Sequence, residues 1–164
     1  RLDQFMQMPM MSIAFTSTTF VSQNFGAGKI TRIKSGIKSA LILNLSIVGF
    51  LSLVLFAFAP FLTSIFIDDT DSIRYGSLFI RCTAPFYLLC AVCMLFSQVL
   101  RGLGDSLVPT IITFSGFVLL RQTFLFVATR LTPSFFVVAI AYPIVWIVTS
   151  SLMLGYYRHK MRKQ

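Results

Sequence analysis

The chain has 164 residues, 56% of them hydrophobic and only 12% charged, with a mean hydropathy of +0.83. A soluble domain carries roughly 25% Asp, Glu, Lys and Arg, so too little polar surface is present to cover a water-soluble globule; a soluble enzyme or binding module is excluded, and a membrane protein is expected. The net charge is +9, from 14 Lys and Arg against five Asp and no Glu.

Charge-free stretches define the predicted elements. They run from Gln4 to Gly28, Ser39 to Ile67, Cys82 to Leu100 and Leu131 to Tyr157; a fifth, Ser106 to Thr129, is broken only by Arg121. Each approaches or exceeds the roughly 20 residues that cross a bilayer as a helix. Apolar residues run continuously rather than alternating, and an open sheet cannot satisfy its backbone in lipid. The expectation is an all-α membrane protein, a polytopic bundle of five transmembrane helices at about 4–28, 39–67, 77–100, 106–129 and 132–157, in one domain over 1–164.

The predicted first helix mixes Gln4, Gln7 and several Met residues around Pro9 with a run of small polar residues, Ser12 and Thr16 to Thr19 among them. It is too polar to face lipid all round. Its Ser and Thr either pack against another helix or line a water-filled cavity, and its Met residues suit varied apolar ligands. It ends in Ser22-Gln23-Asn24-Phe25-Gly26-Ala27-Gly28-Lys29. A phosphate-cradling loop needs a Gly and a Ser or Thr where Gln23 and Ile30 stand, so nucleotide binding is rejected.

The predicted second helix carries Asn44-Leu45-Ser46, a glycosylation sequon too close to the basic surface to be used. Cys82, Cys90 and Cys93 fall in or beside the third. The Cys90–Cys93 pair resembles a redox or zinc half-site, but zinc needs two more ligands and the single His, His159, lies in a distant basic tail. Buried small hydrophobes are the expected reading, with no metal and no cofactor. The third helix ends in Leu100-Arg101-Gly102-Leu103-Gly104-Asp105, a two-glycine reversal before Pro109. Pro60, Pro85 and Pro143 are expected to bend helices, and Trp146, well inside its span, to pack.

Arg121 stands out in the fourth helix. A charge at membrane depth costs about 2.5–3.5 kcal/mol on insertion scales and usually faces a bundle interior. At about 1.5 Å per residue it lies about 12 Å from the outer end near Arg130. Two readings stand: the side chain snorkels outward, or it is a cavity-facing cation paired with an acid beyond this chain. Arg81 is expected to snorkel or to pair with Asp68, Asp69 or Asp71. Gln98 and Gln122 each need a hydrogen-bond partner, in interhelical packing or on a cavity wall. The candidate substrate or cation pathway is therefore Gln4, Gln7, Gln98, Arg121 and Gln122; no catalytic residue is expected.

Counting Lys and Arg by alternate loops places nine on one side, from Lys29 to Lys38, at Arg101 and from Arg158 to Lys163, and three on the other, Arg1, Arg74 and Arg130. The positive-inside rule makes the richer side cytoplasmic, with the C-terminus inside and the N-terminus extracellular or periplasmic. The lipid bilayer, with its anionic inner leaflet, accounts for the basic charge, and no nucleic acid is needed. The chain opens at Arg1 without Met and is entered from outside, which reads as a fragment of a longer protein.

The Ser-Gln-Asn-x-Gly-Ala-Gly-Lys end of the first helix, the Leu-Arg-Gly-x-Gly-Asp end of the third and Tyr142-Pro143-x-x-Trp146 in the fifth together resemble the multidrug and toxic compound extrusion (MATE) family. The resemblance spans essentially the whole chain and matches helices eight to twelve of a twelve-helix, two-lobed transporter. It implies a C-terminal lobe fragment of a secondary antiporter of the inner cell membrane, exporting drug-like cationic or amphipathic compounds in exchange for H+ or Na+. The N-terminal lobe would be its partner, absent here. Some members carry a cation-binding acid at about the position of Cys90; no acid lies within a span here, which implies a coupling carboxylate in the other lobe and favours H+. Alternatives are a lipid-linked oligosaccharide flippase of the same superfamily and a self-assembling five-helix scaffold or channel; a membrane-embedded enzyme is disfavoured for want of an acid or His at depth.

Overall fold

The computed structural model describes residues 2–66, 69–131 and 135–162. Among them every regular element is helical: α1 (Leu2–Gly26), α2 (Ile30–Ala57), α3 (Ala59–Ser64), α4 (Thr70–Thr83), α5 (Tyr87–Gly102), α6 (Leu107–Phe114), α7 (Arg121–Leu131) and α8 (Phe135–Arg162). A 3-10 turn, Ala84–Phe86, joins α4 to α5, and a π-helical segment, Ser115–Leu120, joins α6 to α7. Four continuous stretches are long and apolar enough to cross a membrane: Ile30–Ala57, Thr70–Gly102, Leu107–Arg130 and Val137–Arg162. The 25 residues of α1 match them in length and are more polar. The protein is a multi-pass, all-α membrane protein.

Several helix limits differ from those expected, each for a local reason. The helix placed at 4–28 ends at Gly26, because Gly28 turns the chain at φ +67°. The helix placed at 39–67 begins at Ile30: its first turns are amphipathic, burying Ile33 and Ile37 and exposing the cations, so the charges ride on the helix without stopping it. It breaks at Phe58, where Pro60 starts the short α3. The helix placed at 77–100 begins at Thr70, capped by the Asp69 carboxylate, which accepts from the Ser72 amide at 2.9 Å. The Ser72 hydroxyl and amide together hold that carboxyl below its ordinary range. Pro85 narrows this span into the 3-10 turn, whereas Pro143 sits inside an unbroken α8. Of the helix placed at 132–157, residues 132–134 lie outside the described residues.

α5 is the centre of the bundle, packing on α1, α2 and α8. From Leu95 to Leu100 every one of its residues is buried. Helix α1 meets it with a single stripe, Met6, Met10, Ala14, Ser17, Val21 and Asn24, at the 3.6-residue period. Two cores result. One, toward the basic end, gathers Val21, Ile33, Phe96, Val99 and Met153; the other, toward the acidic end, gathers Met6, Met10, Tyr87, Val145 and Trp146.

Lipid tails are as apolar as these side chains, so close packing and interhelical hydrogen bonds hold the bundle instead of escape from water. The structure supplies both. Thr18 Oγ1 donates to Gln98 Oε1 at 3.1 Å, tying α1 to α5, and Asn44 Nδ2 donates to the Ala91 carbonyl at 3.2 Å, tying α2 to α5. Asn44 is fully buried, which takes its sequon out of reach. Glycines let the backbones approach: a Cβ on Gly102 would stand 2.8 Å from the Thr18 carbonyl oxygen, and one on Gly116 would stand 2.1 Å from Thr149 Oγ1.

Gly102→Ala is expected to destabilise the bundle by about 1–3 kcal/mol, because the obstacles are a backbone oxygen and the root of Val21. Nothing lies within 4 Å of a Cβ on Gly155, and Gly155→Ala is expected to be neutral or mildly stabilising. Thermal unfolding of the two variants in detergent checks the contrast.

Candidate substrate and ion pathway

The bundle leaves one face of α1 uncovered. Opposite the buried stripe, Gln4, Ser12, Thr16, Thr19 and Gln23 are all exposed, interleaved with exposed Met8 and Phe15, and Gln7 is exposed at the edge of this face. Ser12 and Thr16 turn their hydroxyls back to the carbonyls of Met8 and Ser12, at 3.0 and 2.9 Å. That internal bonding makes the stripe tolerable at membrane depth, while Gln4 and Gln7 carry exposed amides with no hydrogen-bond partner among the described residues.

At the acidic end this face abuts a polar and aromatic cluster drawn from five elements. Asp3, in the first turn of α1, accepts a hydrogen bond from the Tyr87 hydroxyl at the start of α5. The Tyr87 ring packs on Trp146 of α8 with centroids 5.1 Å apart, and Trp146 meets Tyr142 edge-on at 6.0 Å. Phe79 of α4 closes the other side of Tyr142 at 5.1 Å. Arg121 of α7 donates from Nη2 to the Tyr142 hydroxyl, with its guanidinium carbon 4.0 Å from that ring's centroid. Arg121 Nε is buried without a hydrogen-bond partner among the described residues.

The residues singled out from the sequence divide accordingly. Gln4 and Gln7 lie on the uncovered face and Gln122 is exposed on α7. Gln98 is buried, with its side-chain oxygen engaged by Thr18. Arg121 is half-buried and turned onto α8 rather than stretched outward. Arg81 is exposed, and its Nε donates to the Phe56 carbonyl at 3.4 Å. Sequence reasoning missed Asp3, Tyr87 and Tyr142. Asp3 fell just outside the charge-free span, yet the helix begins before it. Tyr87 and Tyr142 carry a polar tip on an apolar body, and a buried Tyr hydroxyl needs a partner.

A second polar group sits at the basic end. Asp105, in the turn between α5 and α6, accepts from Lys160 Nζ at 2.9 Å and from the Tyr156 hydroxyl, fastening the end of α8 to that turn. Gly104 makes the turn possible at φ +80°.

The helices bury their tightest contacts around α5 and leave a polar stripe on α1 flanked by an aromatic–ionic cluster. The MatE family model matches residues 1–127, and the chain belongs to that family of MATE-type transporters. It is 26% identical to "Probable multidrug resistance protein YoeA" of Bacillus subtilis over 161 residues, 98% of this chain and 35% of that protein. It is 30% identical to "Probable multidrug resistance protein NorM" of Thermotoga maritima over 107 residues, 65% of this chain and 23% of that protein. A third relative, "Probable multidrug resistance protein YpnP" of Bacillus subtilis, is 23% identical over 76% of this chain and 28% of its own length. The chain thus spans about a third of the relatives it matches or less.

The Asp105 clamp carries a pH signature. The Tyr156 hydrogen bond, with Lys160 beside it, holds the Asp105 carboxyl below the ordinary carboxylate range. A depressed folded pKa contributes stability that is present above the unfolded value, near 3.9, and lost as pH falls through the folded value. The pair lies at the surface with its side chains only 23% and 14% exposed, and surface pairs of this kind contribute about 1 kcal/mol or less. Acid titration of thermal stability is expected to show a step below about pH 4 that is smaller in Asp105→Asn.

Proposed function

We propose that this chain forms most of the C-terminal lobe of a secondary multidrug antiporter, exporting cationic or amphipathic compounds in exchange for H+ or Na+ by alternating access. The observation that carries this reading is Asp3 at the acidic end of the uncovered α1 face, held by Tyr87 in the same aromatic cluster as Arg121. The three relatives are each named as multidrug resistance proteins, which supports the same substrate class. In this reading the basic end, which carries Lys29 to Lys38 and the end of α8, faces the cytoplasm of the inner cell membrane. An N-terminal lobe covers the Asp3 to Met8 end of the α1 face and completes the cavity, leaving the α1–α2 groove outside it.

The chemistry follows from the residues. A cation entering along α1 meets amides at Gln4 and Gln7, adaptable apolar surface at Met8 and Phe15, and a carboxylate at Asp3. One carboxylate holds the drug cation or the coupling ion, and that competition is the elementary requirement of antiport. Tyr87 fixes the carboxylate, and Trp146 and Tyr142 link it to Arg121 on the helix across the bundle. This arrangement makes Asp3 a coupling candidate within the lobe itself. The oligosaccharide-flippase alternative calls for a strongly cationic cavity, whereas here a carboxylate, Asp3, shares the cluster with half-buried Arg121.

The protein expressed from its complete gene and reconstituted in vesicles tests the reading. Asp3→Asn is expected to lower export of a lipophilic cation about tenfold to a hundredfold, the loss of a charged hydrogen-bond partner, and to flatten its pH dependence. Tyr87→Phe should cost less, and Gln122→Ala should leave transport unchanged. Transport by Asp3→Asn at the normal rate and with the normal pH profile would sink the assignment of Asp3.

A further inference from the structure

A groove of about 450 Å³ runs between α1 and α2 on the basic side of the bundle, lined by Thr16 and Phe20 on one wall and Gly36, Ala40 and Leu43 on the other. Its floor exists because residue 36 has no side chain: a Cβ there would stand 2.1 Å from the Phe20 ring. Helical spacing puts Arg32 on the same face of α2 as Gly36, Ala40 and Leu43, with Lys29 one turn further toward the basic end. Both cations are exposed. Lys34 and Lys38 occupy the opposite flank of the helix.

We propose that this groove holds an anionic phospholipid, its acyl chain along Phe20 and Ala40 and its phosphate at Lys29 and Arg32. Three observations point to that occupant. First, the groove wall is apolar while its mouth is cationic, which is the charge and polarity order of a lipid entering from the surface inward. Secondly, no carboxylate competes: among the described residues the acid at this end is Asp105, already engaged by Lys160. The 28-residue α2 also starts with no side-chain cap and no acid in its first turn, so the amides of Thr31 and Arg32 and the helix dipole favour an anion at the same mouth. Thirdly, the lengths agree. From Arg32 to Leu43 is about 16 Å along the helix, close to the roughly 15 Å of hydrocarbon in one leaflet. This lipid is distinct from the transported compound, because the groove opens at the basic end and away from Asp3.

Native mass spectrometry of the protein expressed from its complete gene, taken from mixed phosphatidylglycerol and phosphatidylcholine bilayers, reads the bound lipid. The expected result is retained phosphatidylglycerol that inorganic phosphate does not displace. Lys29→Gln with Arg32→Gln should weaken retention about tenfold or more. Lys34→Gln with Lys38→Gln, which removes the same charge from the other flank, should not. A diazirine placed on the acyl chain should label Ala40 or Leu43. Equal loss in both double variants would mean diffuse surface attraction and overturn the site. Label absent from α1 and α2 would mean that protein covers the groove, which overturns it as well.

Discussion

The seam between α1 and α5 is the contact on which the rest of this bundle depends. In lipid there is no gain from hiding apolar surface, so a helix as polar as α1 stays in place only through close approach and satisfied hydrogen bonds. Gly102 allows the backbones to touch at Thr18 and Val21, and the Thr18–Gln98 bond locks the register one turn away. With that register set, Met6 and Met10 reach Tyr87, and Asp3 comes to rest against the Tyr87 hydroxyl. The cluster at the acidic end is therefore a consequence of packing at the basic end. The opposite face of α1, having no such partner, is left polar and open.

Arg121 shows how a costly group is made tolerable. Its guanidinium is not paired with a carboxylate at bonding distance among the described residues. It donates to a phenol, lies over the same ring, and leaves Nε unsatisfied. Each element of that arrangement is weaker than a bidentate ion pair. A fully paired Arg121 would be fixed, whereas a partly satisfied one still has something to gain from a change of neighbours. The π-helical segment immediately before it adds to the effect, since such segments displace the following residues from ordinary α-helical register. The close Gly116–Thr149 crossing holds that segment against α8, so Arg121 is presented to Tyr142 from a fixed point.

Much of this was legible in the sequence, and the failures were physical. Continuous apolar runs separated by charged turns specify membrane helices, and the glycine-rich ends at Gly28 and Gly104 specify the two reversals. Charge, however, is a poor marker of where a helix stops. Arg32, Lys34 and Lys38 ride on the exposed side of a helix that Ile33 and Ile37 keep in the bundle, and Asp3 rides on α1 in the same way. The pathway residues suffered from the same bias. Searching for polar groups inside apolar runs finds Gln98, which is consumed by packing. It overlooks tyrosines, whose hydrophobic bodies hide the hydroxyl that connects Asp3 at one end of the cluster and Arg121 at the other.

The two ends of the chain treat charge differently, and that difference has a mechanical meaning. At the basic end Asp105 is committed to Lys160 and Tyr156, an ionic contact that fastens α8 to the α5–α6 turn and has both charges satisfied. At the acidic end Asp3 and Arg121 belong to one aromatic cluster but bond to separate tyrosines, Tyr87 and Tyr142. A satisfied pair resists rearrangement, and a separated pair can be bridged, neutralised or drawn together by an arriving ion. Under the function proposed above, the lobe moves as a unit while its ligand site changes state, with Asp105 and Lys160 as the clasp at one end and Asp3 and Arg121 as the unsettled pair at the other.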